Sequence, residues 1–165
     1  ISILRFIVNI DRCEKLCNVE GDGISDPYVK VHIKGPNGVQ AGSTATVTDC
    51  LNPKFNESFE FELNEANFAS GEYEARLELE VFDENTRDRG QSDGPMGKVY
   101  AMLSTLRDSS ASRREMLVGS DGNAEVQDRG FIIYSVKCET QEEMIARKAR
   151  EAEAAAAESE KLQML

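Results

Sequence analysis

From Asn18 to Asp26 the chain reads Asn-Val-Glu-Gly-Asp-Gly-Ile-Ser-Asp, which puts the carboxylates of Glu20, Asp22 and Asp26 into seven residues. Gly21 and Gly23 let the backbone turn sharply among them. Carboxylates crowded in this way share a cation or repel one another. A second acidic stretch, Val81-Phe-Asp-Glu-Asn85, ends a run in which Leu77, Leu79 and Val81 alternate with polar residues. Residues two apart in a strand point the same way, so Asp83 and Asn85 continue the inward phase of that run past the core. Carboxylate and amide oxygens are hard donors, and calcium takes about six to eight of them at roughly 2.3 to 2.6 Å in irregular geometry. The chemistry these residues offer is therefore oxygen ligation of a cation. The plainer alternative is that the acidic loops are only solvated.

The elements that carry these residues read as strands. Ser2 to Ile10 alternates Leu4, Phe6, Val8 and Ile10 against Ile3, Arg5, Ile7 and Asn9, and apolar residues on both faces place it centrally in a sheet. Tyr28 to Lys34 alternates behind Pro27, which can open a strand but not sit inside one. Gly35-Pro-Asn-Gly38 is a turn. Further strands are expected at 41–48, 58–63 and 74–82, with a connection over 64–72. The stretch 83–97 lacks alternation and is rich in Asp, Arg and Gly, so it reads as a long excursion. Strands at 98–104, about 115–119 and 130–138 complete eight, which predicts an all-β antiparallel sandwich. From Thr140 the composition turns to Glu, Ala, Lys and Arg. A capping box at Thr140 and Glu143, with a Glu143 to Arg147 pair, predicts a solvated helix from Gln141 to about Leu162. Its thin seam, Ile145, Ala149, Ala152 and Ala156, suits a spacer helix or a weak coiled coil.

The totals narrow the partners. A net charge of −11 and a pI near 4.6 argue against nucleic acid and against constitutive adhesion to an anionic membrane. Four cysteines, Cys13, Cys17, Cys50 and Cys138, read as reduced thiols in a cytosolic setting rather than as a disulfide framework. No apolar run reaches the about 18 residues of a transmembrane helix. Asp121-Gly-Asn-Ala-Glu125 opens like an EF-hand loop, but Val126 and Ile132 occupy the positions that demand Gly and Glu, so it reads as a turn. A single histidine, His32, leaves no nucleophile and base arrangement, and an enzyme is not expected in this segment. The chain starts without Met and is expected to be an excerpt of something longer.

Gly23-Ile-Ser-Asp-Pro-Tyr-Val-Lys-Val31, Leu51-Asn-Pro-Lys-Phe-Asn-Glu-Ser-Phe-Glu-Phe61 and Val81-Phe-Asp-Glu-Asn85 resemble, in order and spacing, three motifs of the C2 domain. That family is a calcium- and phospholipid-binding β-sandwich found in synaptotagmins, protein kinase C and phospholipases. The resemblance covers roughly residues 2 to 138. It implies a C2-type sandwich over 1–138, with phospholipase-like connectivity because the chain begins with the strand before the first loop, and a helix or linker over 139–165. It also implies calcium ligands at Glu20, Asp26, Asp83, Asn85 and Asp93, with Asp22 a substitute for Glu20 and Asp88 a rival of Asp93. Glu20 stands where the family usually carries Asp, and Asn85 replaces its second third-loop Asp, so affinity falls with each change. Ile24, Arg87 and Arg89 are then the residues that would touch lipid. The function implied is calcium-dependent docking of a larger cytoplasmic protein onto anionic, phosphatidylserine-like membrane in trafficking, secretion or lipid signalling, with the helix free for a protein partner. The alternative is a calcium-independent interaction module of a scaffold or structural assembly.

Overall fold

The computed structural model describes residues 3–20, 23–35, 38–65, 69–70, 73–84, 93–119 and 128–164. Strand β1 (Ile3–Glu14) buries Leu4, Phe6, Val8 and Ile10. It pairs antiparallel with β4 (Lys54–Asn64) on one side and β10 (Phe131–Thr140) on the other, the central position its two apolar faces require. With β9 (Arg113–Met116) at the edge, the sheet order is β4-β1-β10-β9. The second sheet, β3-β2-β7-β8, is built from β2 (Pro27–Gly35), β3 (Gly38–Ser43), β7 (Arg76–Asp83) and β8 (Gly94–Met102). Its Val29, Val31, Ile33, Leu77, Leu79 and Val81 meet the buried residues of the first sheet in one core with Tyr134 and Val136. Two short paired strands follow β4, β5 (Ala69–Ser70) within the expected connection over 64–72 and β6 (Tyr73–Glu74) just past it. The opening strand leads directly into the acidic loop and the final strand returns beside it, the connectivity the sequence predicts.

Several boundaries differ from expectation for local reasons. β3 stops at Ser43 rather than near Thr48 because Thr44 Oγ1 accepts the Val29 N–H at 2.9 Å, so a hydroxyl takes the place of a ladder carbonyl. β8 begins at Gly94, within the stretch read as an excursion. Pro95 hid it, yet β8 pairs only with β7 in its sheet, and an edge strand tolerates a residue without an N–H. Its end departs too, since Leu103–Leu106 forms a short helix, α1, with Leu103 and Leu106 buried. The strand expected near 115–119 runs from Arg113 to Met116, and Val118 instead bridges to Lys98 of the other sheet. Gly130, at φ +97, lets the chain entering β10 pass the end of β1. A Cβ there would lie 2.6 Å from the Lys15 carbonyl oxygen, so no side chain fits.

Helix α2 (Gln141–Gln163) starts where the sequence places it, with Thr140 Oγ1 accepting the Glu143 N–H at 3.2 Å. Arg147 does not pair with Glu143. Its Nε donates to Glu139 Oε2 at 2.8 Å, and its other nitrogens face Glu151 at 3.2 Å and Glu60 at 3.8 Å. The first two turns are thus fastened to the sheet through Arg147 rather than standing free, and the seam of Ile145, Ala149, Ala152 and Ala156 remains exposed.

Candidate metal centre at the acidic end

Loop 1, between β1 and β2, is held by one asparagine and one serine. Asn18 Oδ1 accepts from the Ser25 N–H (2.9 Å), the Ser25 hydroxyl (2.8 Å) and the Glu20 N–H (3.3 Å), while Asn18 Nδ2 donates to Gly23 O at 2.8 Å. Ser25 Oγ in turn accepts the Val19 N–H at 3.0 Å, and Ser25 is 0 % exposed. Short polar side chains of this kind bind nearby backbone groups in place of secondary structure, which ties the Asn18 to Glu20 side of the loop to Gly23 and Ser25. Gly23 adopts φ +107 with open space around it, so the turn and not crowding demands glycine there.

Asp26 sits where three segments meet. Its N–H donates to Asp83 Oδ1 at 2.7 Å, its carbonyl oxygen accepts the Glu84 N–H at 2.9 Å, and its own Oδ1 accepts the Asp49 N–H at 2.7 Å. The last contact brings in the turn before Leu51, where Asp49 takes the left-handed φ of 50 that Asp tolerates better than most residues. Asp83 shares the buried phase of Leu77, Leu79 and Val81, and is itself 2 % exposed. Among the described residues neither Asp26 nor Asp83 has an arginine or lysine beside it.

Asp93 is placed differently. Its Oδ2 accepts the Tyr28 hydroxyl at 2.5 Å, and Tyr28 stacks on Phe82 with ring centroids 5.8 Å apart. Phe82 and Asp83 are neighbours in β7 and point to opposite faces, so the Asp93 carboxylate follows Tyr28 toward the outer face while Asp83 faces inward. Burial and then the Asp93 carboxylate push the Tyr28 hydroxyl well above its ordinary value, which keeps it a donor. Glu20 is half-buried, and Ile24 is 45 % exposed near the loop tip. Asn85, Arg87 and Arg89 lie outside the described residues, as do Asp22, Asp88 and the stretch from Asp121 to Glu125 that the sequence reads as a turn. The structure therefore brings Asp26 and Asp83 together and leaves Asp93 on another partner. Among the described residues no three Asp, Glu, His or Cys side chains converge as a metal cluster. The donors present are all hard oxygens, which suit calcium rather than zinc. Asn18, Ser25, Tyr28 and Asp49 were missed as supports by sequence reasoning. Only the Asn and Ser flanking a glycine-rich acidic run hinted at two of them.

Two packed four-stranded antiparallel sheets, with Asp26 and Asp83 in contact at one end, define a β-sandwich. The sequence model of the C2 domain matches residues 4–117, and the chain belongs to the C2 domain family. A solved C2 domain of plant Extended Synaptotagmin 1 superposes with a TM-score of 0.64 at 20 % identity, covering 84 % of this chain and 94 % of that one. Human GIVD cytosolic phospholipase A2 gives 0.61 at 21 %, over 83 % of this chain and 16 % of that one. At such identities these likenesses bear on the fold alone. Among curated proteins of Arabidopsis thaliana, Protein C2-DOMAIN ABA-RELATED 11 is 35 % identical over 96 residues, which is 58 % of this chain and 49 % of that protein. Multiple C2 domain and transmembrane region protein 8 is 38 % identical over 66 residues, 38 % of this chain and 6 % of that protein. The chain thus spans half or less of the curated relatives it matches. Among the described residues no helix is long and apolar enough to cross a membrane.

Proposed function

We propose that the sandwich, residues 1–138, is a calcium-dependent docking module for anionic, phosphatidylserine-like membrane, and that 139–165 connects it to the rest of a cytoplasmic protein acting in trafficking, secretion or lipid signalling. The observation that carries this reading is the Asp26 and Asp83 junction, where the Asp26 N–H meets the Asp83 carboxylate, the Asp26 carboxylate takes the Asp49 N–H, and no Arg or Lys pairs with either among the described residues. Calcium would be held by Asp26 and Asp83 with Glu20, Asn85 and Asp93 as the remaining candidates, and Asp93 would have to leave the Tyr28 hydroxyl to join them. Without cation a chain of net charge −11 is repelled by anionic headgroups. Two bound calcium ions would add about +4 locally and invert the sign within a Debye length of about 8 Å. Ile24, Arg87 and Arg89 are the proposed lipid contacts. Ile24 offers little apolar area, so the attraction is chiefly electrostatic.

The test is sedimentation with phosphatidylserine vesicles. The chain is expected to pellet in calcium, to stay in solution with chelator, and to be released by high salt. Binding that survives high salt would refute the electrostatic mechanism. Absence of calcium-dependent pelleting, with no heat in a calorimetric calcium titration, would leave the second reading, a calcium-independent interaction module. The Tyr28 hydroxyl on Asp93 favours that second reading, because it holds one candidate ligand on a protein donor.

A further inference from the structure

Cys17 and Cys50 stand where loop 1 leaves the sandwich. Along this edge Cys13 N–H donates to Pro53 O at 3.0 Å and Lys15 N–H to Asn52 Oδ1 at 2.9 Å, and the left-handed Lys15 (φ 55) adds one residue. Leu16 N–H then donates to Leu51 O at 3.0 Å, so the next residues along the two segments, Cys17 and Cys50, flank that contact on the same side. Their amides point away from one another, Cys17 N–H to Arg129 O at 3.4 Å and Cys50 N–H to Ser25 O at 3.1 Å. Beside the Leu16 and Leu51 contact this is the relation of a non-hydrogen-bonded antiparallel pair, in which Cα atoms lie about 4.5 Å apart in a sheet, while beyond it the Asp49 N–H turns to Asp26 Oδ1. A disulfide takes Cα separations of about 4.4 to 6.8 Å. Side-chain direction agrees. Leu16 is 3 % exposed and Leu51 packs against the core, so the residues beside them turn outward together. Cys17 is exposed and Cys50 half-buried, both as free thiols, whereas Cys13 is buried.

We propose that Cys17 and Cys50 form a disulfide under oxidising conditions and that this bond clamps the base of the carboxylate-bearing loop. The oxidant is a small disulfide such as oxidised glutathione. The exposed Cys17 thiolate attacks one of its sulfurs, one glutathione thiolate leaves, and the Cys50 thiolate then displaces the second from the mixed disulfide. Two cysteine thiols become one disulfide, one glutathione disulfide becomes two thiols, and the two protons lost by the cysteines end on the glutathione sulfurs. The bond would close a ring through Asn18, which holds Ser25, whose carbonyl oxygen already accepts the Cys50 N–H. Cys50 directly follows Asp49, the donor to Asp26, so the clamp reaches the acidic junction.

The full chain is equilibrated in glutathione buffers from reducing to oxidising, its remaining thiols are alkylated, and it is digested with trypsin. Cleavage at Lys and Arg separates Cys13 (13–15), Cys17 (16–30), Cys50 (35–54) and Cys138 (138–147). The expected product in oxidising buffer is peptide 16–30 joined to 35–54, lighter than their sum by two hydrogen masses and absent from Cys17→Ser and Cys50→Ser chains. Hydrogen exchange at the Ser25 and Cys50 amides should slow at least about tenfold in the oxidised form, since local opening is what exchange reads. Glutathione mixed disulfides on both peptides, linkage to 13–15 or 138–147, or exchange unchanged by oxidation would overturn the proposal. None of these readouts depends on calcium or lipid.

Discussion

The two ends of the sandwich hold their carboxylates in opposite ways. At the end where β1 begins, Glu60 and Glu62 face Arg5, and Glu139, 1 % exposed, lies against Arg147 and Lys137. At the end where β1 leads into loop 1, Asp26 and Asp83 are held by the N–H groups of Asp49 and Asp26. A carboxylate matched by a guanidinium is a structural fastening, because its charge is already compensated. A carboxylate held only by neutral donors has no cationic side chain matching it, which is what makes it a candidate to meet a cation. The difference separates the acidic residues that build the fold from those that are candidates to act, although composition counts them alike.

The largest expected effect breaks that contrast at the loop end. Asp26→Asn or Asp83→Asn keeps the oxygen that accepts the backbone N–H but removes a charge, so calcium affinity read by calorimetry should fall at least about tenfold. The melting temperature without calcium should hold or rise, because mutual repulsion is relieved. A clear drop without calcium would place these carboxylates in the same structural class as Glu139.

Next comes the fastening itself. Arg147→Met leaves the buried Glu139 without its hydrogen-bonding guanidinium, and the melting temperature at neutral pH should drop by several degrees. The pH dependence follows from Glu139, whose carboxyl is held below its ordinary value first by the hydrogen bond from Arg147, with burial opposing. A depressed carboxylate stabilises fully above the unfolded value of about 4.3 and loses that contribution as pH falls through the folded value. The gap between wild type and Arg147→Met should therefore narrow as the pH is lowered from about 6 to about 3. Equal melting temperatures at neutral pH would reduce the fastening to decoration. The smallest effect is expected from the distal helix. Truncation after Glu153 removes residues that are all exposed as far as they are described, to Met164, and should shift the melting temperature by less than about 2 °C. Truncation after Thr140 should cost about what Arg147→Met costs. A large loss from the shorter truncation would show that the exposed turns also stabilise the domain.

What could be read in advance depended on how local the cause was. The alternation of Leu4 to Ile10, the phase of Leu77 to Asp83 and the Thr140 cap follow from periodicity and neighbouring residues and stand where they were expected, although β1 runs on to Glu14. The first four residues of β8 escaped because Gly94, Pro95 and Gly97 resemble a loop unless the strand is known to lie at an edge. The support of loop 1 escaped for another reason. Asn18 and Ser25 are seven residues apart, and Asp49 reaches Asp26 across 23 residues, so nothing in either stretch announces the other.

By itself the chain's order of residues determined an antiparallel sandwich, an acidic glycine-rich loop behind a central strand, and a polar helix after Thr140, since alternation, turn residues and caps act over a few positions. Only the tertiary structure decided which acids are matched by arginine and which are not. It also decided that Asp93 turns to Tyr28, and that Arg147 reaches back to Glu139 instead of along its helix to Glu143. Charge pairing is set by distance in space, and burial weakens the screening that would otherwise make one partner as good as another.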